Sequence, residues 1–164
     1  MKRVAALLCV VLLCGCTAKG GVSPRLIGIK GEAQIKFFNE EFECAFSSAE
    51  DGEITVEILS PEHLKEMSFV YKNKTLTAKY KELEYSPNLD AMPSLAVIRG
   101  IIEVLSESTD KNAQRNAKDE NYFLEGKIED ICYTLYISPA GLPLSAQIPD
   151  KNYTITFKNI TLIK

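Results

Sequence analysis

The stretch Glu53-Ile54-Thr55-Val56-Glu57-Ile58 sets apolar Ile54, Val56 and Ile58 against polar Glu53, Thr55 and Glu57 at every second position. Side chains of an extended strand point alternately to opposite faces, so this period describes a strand with one dry and one wet side. The same alternation holds upstream. Ala33, Ile35 and Phe37 interleave with Glu32, Gln34 and Lys36, and Phe42, Cys44 and Phe46 with Glu41, Glu43 and Ala45. Downstream, Phe69 and Tyr71 open a strand that turns at Asn73-Lys74 and continues through Leu76, Ala78 and Tyr80. Glu50-Asp51-Gly52 supplies a turn, and a single helical turn is expected over Glu62 to Lys65, because proline at position 61 suits the first helical position. One-sided strands joined by tight turns predict an antiparallel sheet covered on one face only.

The chain then changes character. After the connection Pro87 to Pro93, Ser94 to Ser106 reads as the one substantial helix, with Leu95, Ile98, Ile102 and Leu105 on one face and Val97, Ile101 and Val104 beside it. Only Arg99, Glu103 and Ser106 make a polar stripe, so the helix needs burial on most sides. Gly100 in its middle costs about 1 kcal/mol in helix propensity, which a close approach to the sheet backbone would explain. Glu107 to Glu120 is polar and reads as a mobile loop. Strands resume over Tyr122 to Ile128, Ile131 to Ser138, Leu144 to Ile148 and Tyr153 to Ile163, with turns at Pro139-Ala140-Gly141 and Pro149-Asp150-Lys151-Asn152. The predicted class is α+β: an antiparallel sheet of about nine strands with one main helix packed on it.

The N-terminus carries a different kind of signal. Lys2 and Arg3 precede an apolar run from Val4 to Leu13 that is too short to span a bilayer, which takes roughly 20 residues. A basic start followed by such a run reads as a signal peptide and not as part of a fold. Leu13-Cys14-Gly15-Cys16 follows, and it resembles the bacterial lipobox: an aliphatic residue, two small ones, then cysteine. The resemblance implies a diacylglycerol thioether on Cys16 and cleavage after Gly15. Residues 1–15 are then signal peptide, 16–29 the lipidated cysteine and a tether, and 30–164 a single domain. Multiple acyl chains hold a protein on a membrane where one does so only marginally. The expected site is exported and lipid-anchored: the outer leaflet of the cell membrane, or a periplasm-facing or outer-membrane site in a two-membrane bacterium.

Removal of the signal leaves 17 basic and 22 acidic residues, a net charge of −5. No basic block stands out, which argues against nucleic acid as a partner. Two cysteines lie in the domain, Cys44 and Cys132. Cys44, between Phe42 and Phe46, reads first as a buried thiol. A Cys44–Cys132 disulfide is the alternative, and closing so long a loop would stabilise by about 4 to 5 kcal/mol in the chain-entropy model.

Val56-Glu57-Ile58-Leu59-Ser60-Pro61-Glu62-His63-Leu64, then Met67-Ser68-Phe69-Val70-Tyr71 and the strand to Tyr80, resemble the half-barrel proteins related to the periplasmic lipoprotein carrier and the mycobacterial lipid-carrying lipoproteins. Ile137-Ser138-Pro139-Ala140-Gly141-Leu142-Pro143 is similar to the strand-turn-strand that follows the helix in those proteins. The resemblance implies a strongly curved sheet, a half-barrel, with the helix on its concave face and a hydrophobic ligand between the two. No functional residue is matched position by position. The residues that would line such a space are Phe42, Phe46, Ile54, Val56, Ile58, Phe69 and Tyr71 from the sheet, with Ile98, Ile101, Ile102 and Leu105 from the helix. Each of them is equally a core residue.

Nothing in the chain reads as catalytic. The single histidine, His63, sits at a proline turn, no Gly-x-Ser-x-Gly elbow or phosphate loop is present, and Cys44, His63 and Cys132 lack the short spacings of zinc ligands. No cofactor or metal is expected. The reading is a non-enzymatic, membrane-anchored lipoprotein that carries or senses a lipid or acyl chain. The alternative is a module with a filled core that binds an envelope protein or serves envelope structure.

Overall fold

The computed structural model describes residues 21–86, 96–108, 113–115, 120–128, 131–149 and 152–163. The signal peptide, Cys16 and the first residues of the expected tether lie outside the described residues, as do Pro87 to Leu95. Among the described residues eleven strands form one antiparallel sheet. They are β1 Ile29–Phe37, β2 Glu40–Ser48, β3 Ile54–Ser60, β4 Met67–Lys72, β5 Thr75–Tyr80, β6 Leu83–Tyr85, β7 Gln114–Arg115, β8 Tyr122–Ile128, β9 Ile131–Ile137, β10 Pro143–Ile148 and β11 Tyr153–Leu162. One α-helix, α1 (Ala96–Glu107), and a 3-10 turn at Glu62–Leu64 complete the set. The expectation of about nine strands misses β6 and β7, of three and two residues, whose patterns are too short for alternation to register.

Strand order is β6-β5-β4-β3-β2-β1-β11-β10-β9-β8-β7. The two halves of the chain meet where β1 pairs with β11, Ile35 opposite Ile155 and Ala33 opposite Phe157. The short strands β6 and β7 end the order without pairing with each other, so the sheet is curled but open. Burial follows the alternation. Phe42, Ile35, Ile155, Ala146, Leu135 and Leu124 form one row across six strands, and all are buried. The opposite face carries Lys36, Glu41, Gln34, Glu43 and Thr156.

The helix covers the dry face. Ile98, Ile101, Ile102, Val104 and Leu105 are buried in the same cluster as the strand residues, while Arg99 and Glu103 are half-buried and ion-paired at 2.7 Å. Gly100 is needed for a close approach, but to a side chain and not to sheet backbone. A Cβ there would lie 2.6 Å from Cζ of Tyr153.

Two stretches expected to be loose are bound. Within the polar loop, Ala113 is buried and β7 pairs with β8, Gln114 opposite Phe123. Residues 21–28, assigned by sequence to the tether, run as a strap across one end of the sheet. Val22 exchanges backbone hydrogen bonds with Ala113, the Arg25 N–H donates to the Gly141 carbonyl at 2.8 Å, and the Gly28 N–H donates to the Ser48 carbonyl at 2.7 Å. Pro24 and Leu26 of the strap are buried, Leu26 with 1% of its surface exposed. An apolar core open at the strand ends would be wetted, and the strap removes that area from water.

Candidate functional site

The eleven residues expected to line a ligand space do come together. Phe42, Phe46, Ile54, Val56, Ile58 and Phe69 are buried on the dry face of β2, β3 and β4, and Ile98, Ile101, Ile102 and Leu105 are buried on α1. Tyr71 is half-buried and packs against the same cluster. Register explains the grouping: Phe46 pairs with Val56, Val56 with Phe69, and Phe69 with Ala78, so one face receives them all.

Two tyrosines that sequence reasoning missed fasten the helix to this face. Tyr153 at the start of β11 lies under Gly100, and its hydroxyl meets the backbone of Ile101. Burial pushes the Tyr153 hydroxyl well above its ordinary pKa, with Cys44 nearby adding to the effect. Tyr133 on β9 is 1% exposed, and its hydroxyl lies 2.7 Å from Oγ of Ser108, just past the end of α1. Its ring lies against Gly126 of β8, directly opposite in register, where a Cβ would stand 2.2 Å from Cζ. The available signal was glycine inside a helix and inside a strand, each of which marks close approach. A buried hydroxyl without a partner is costly, so both tyrosines specify where α1 sits.

On the β4 side the helix presents its acids. Tyr71 is raised above its ordinary pKa, mainly by burial and then by Glu107 and Glu103. This seam, with Tyr71 and the Arg99–Glu103 pair, is the polar rim of the apolar interior.

The cysteine pair is a correction. Both thiols are free: Cys44 is buried on β2, and Cys132 is exposed on β9. Three strands, β1, β11 and β10, lie between them in the sheet, and the two thiols differ completely in exposure, so no bond forms. The Cys44 thiol faces the Ala33 carbonyl at 3.6 Å, and burial pushes its pKa up to about 12. A thiol held protonated in this way is inert as a nucleophile.

Among the described residues, two surface recesses stand out. One, of about 340 Å³, runs along the outer face of β11, β1, β2 and β3 over Gly31, Ala45, Ser47 and Thr55, between Lys30, Glu32 and Glu57. It follows a bulge where the register of β1 on β11 shifts between Lys30 and Glu32. Asn159, at a positive φ of 52°, donates from Nδ2 to Glu32 at 2.8 Å. The second, of about 490 Å³, lies at the β8–β9 hairpin beside Cys132 and Tyr133. Of the eleven expected lining residues only Phe46 borders either recess. His63 is exposed, and among the described residues no three His, Cys, Asp or Glu side chains are grouped to hold a metal ion. Nor is any described helix long and apolar enough to cross a membrane.

No family model matches the chain. No curated protein matches it either. Solved structures do. An uncharacterized conserved protein from Thermus thermophilus is similar at a TM-score of 0.50 and 14% identity, over 82% of this chain and 77% of that one. A LolA superfamily protein from Nitrosomonas europaea is similar at a TM-score of 0.48 and 12% identity, over 88% and 87%. A DUF1329 family protein from Desulfovibrio piger is similar at 0.44 and 10%, over 82% and 84%. The lipoprotein-carrier superfamily that the sequence resembles is thus represented among the structural neighbours. At these identities the likeness is one of fold.

Proposed function

We propose that this protein is an extracytoplasmic lipoprotein, held on a membrane by lipid on Cys16, whose helix and open sheet take up a hydrophobic ligand such as an acyl chain without catalysing a reaction. The observation that carries the ligand reading is the relation of α1 to the sheet. The helix is buried through Ile98, Ile101, Ile102 and Leu105 against an apolar face whose edge strands β6 and β7 do not pair, so movement of one element opens the interior. Among its polar ties to the sheet are Tyr153 at Ile101 and, just past its end, Tyr133 at Ser108, each a bond worth about 1 kcal/mol net. The lipobox-like Leu13-Cys14-Gly15-Cys16 carries the anchor reading.

Native mass spectrometry of the protein from Thr17 onward, exported behind a cleavable non-lipid signal, tests the ligand. An adduct of lipid mass that organic extraction removes is the expected result. A clean mass with no uptake of added fatty acid sinks it and favours the second reading, an envelope-protein partner on the outer face. That second reading draws on the tight burial of the expected lining residues and on the recess over Ala45 and Ser47. For the anchor, Cys16→Ser is expected to release the protein from membranes, as read by fractionation.

A further inference from the structure

Burial along the strap has the period of a strand. Val22 is half-buried and Pro24 and Leu26 are buried, while Gly21, Ser23, Arg25 and Ile27 between them are exposed. Successive residues of an extended chain point to opposite sides, so the strap turns one apolar edge, Val22-Pro24-Leu26, inward. Val22 and Leu26 belong to the same apolar cluster as the residues expected to line a ligand space. Gly28, at a positive φ of 68°, joins this edge to β1 and takes up the change of direction there, which a residue without Cβ does without strain.

The bonds on either side of Leu26 place it. The Arg25 N–H donates to Gly141, in the turn between β9 and β10, and the Gly28 N–H donates to Ser48, at the end of β2. Leu26 lies in the span between these two points. Ser48 is level with Ile29 and Ile54, and Ile54 with Tyr71, so the row beside the strap includes two of the expected lining residues. The β9–β10 turn fits the strap closely. At Gly141, where φ is 81°, a Cβ would lie 2.6 Å from the Ser23 carbonyl. We infer that the strap is a plug on the ligand space: Leu26 fills one end of the apolar interior, and a fatty acyl chain enters as the strap swings out. The inference rests on the ligand reading above. An apolar strap edge and an acyl chain offer the interior the same kind of surface, so they compete, and apparent affinity falls with the fraction of molecules whose strap is out.

The test uses the chain from Thr17 onward, exported behind a cleavable non-lipid signal, which keeps every described residue. Val22 and Ala113 exchange two backbone hydrogen bonds, and the Cα atoms of such a pair stand about 5.5 Å apart, within the span of a disulfide. Val22→Cys with Ala113→Cys, in a Cys132→Ser background, therefore staples the strap, and dithiothreitol releases it. Association of cis-parinaric acid, a fluorescent fatty acid, is followed by stopped flow. The oxidised staple is expected to bind at least about tenfold more slowly than the same protein after reduction, because the open fraction falls. Leu26→Ala, which thins the plug, is expected to bind at least about tenfold more tightly than the parent. The staple compares one sequence in two redox states, so it decides the matter even where Leu26→Ala folds poorly. Equal association rates before and after reduction, with the disulfide verified by mass, overturn the plug and leave the ligand reading intact. No binding by the parent, the reduced staple or Leu26→Ala overturns both.

Discussion

The two faces of the central strands share one backbone and one set of hydrogen bonds, yet they do different work. On β1 and β2, Ile35 and Cys44 are wholly buried, while their sequence neighbours Lys36 and Glu43 are in water. The inner side is continuous with α1 and with the strap, and each side chain there touches several elements. The outer side holds pairs such as Lys36–Glu41 at 3.9 Å and Lys72–Asp51 at 2.6 Å, all substantially exposed. Apolar burial is worth about 25 cal/mol per Å², whereas exposed ion pairs contribute little after solvent screening. Strand hydrogen bonds hold the sheet together, but it is the inner face that specifies this fold.

The contrast is sharpest for the cysteines. Under native conditions a maleimide should label Cys132 about a thousandfold or more faster than Cys44, since Cys44 reacts only through rare unfolded molecules. Comparable rates would mean that the inner face opens readily. The same burial has a pH consequence. Because folding raises the Cys44 pKa from 9.0 to about 12, the native state binds more protons than the unfolded chain across that window. The contribution of Cys44 is therefore fully present below pH 9 and is lost as pH rises toward 12. Denaturant midpoints should fall over this range, and by less in Cys44→Ala.

Next in size is Leu135→Ala, which empties a fully buried site in the row from Phe42 to Leu124. It should cost about 2–5 kcal/mol in urea unfolding. Gly126→Ala places a methyl into the ring of Tyr133, which is pinned by Ser108, and should cost about 1–3 kcal/mol. A neutral result there would show that Tyr133 has a second packing and that α1 is less firmly placed than the hydroxyl bond implies. At the small end, Lys72→Ala removes a cation that holds the Asp51 carboxyl below its ordinary pKa, on the solvated side. Its unfolding midpoint at physiological salt should match the parent within error, and a clear drop would raise the outer face to equal rank.

Much of this division was legible from residues alone. Ile54-Thr55-Val56-Glu57-Ile58 alternates in sequence and alternates in burial, because strand geometry maps odd and even positions onto opposite faces without help from the rest of the chain. The wide apolar surface of Ile98 to Leu105 likewise announced a buried helix. The strap was not legible. Gly21 to Gly28, with its glycines, serine and proline, has the composition of a linker, and its place is set by bonds to Ala113, Gly141 and Ser48, all distant in the chain. Ala113 to Arg115 were hidden for the same reason: two strand residues have no period, and their partner Phe123 decides them.

The sequence by itself determined the two-faced strands and the apolar helix α1, since each is written in local order. The order Leu13-Cys14-Gly15-Cys16, on which the anchor proposal rests, is equally local. Tertiary structure alone decided that Cys44 and Cys132 stand apart, that Tyr133 and Tyr153 reach Ser108 and Ile101, and that the strap closes one end of the sheet. These are contacts between residues distant in the chain. Their formation depends on strand order and register, and periodicity carries no record of either.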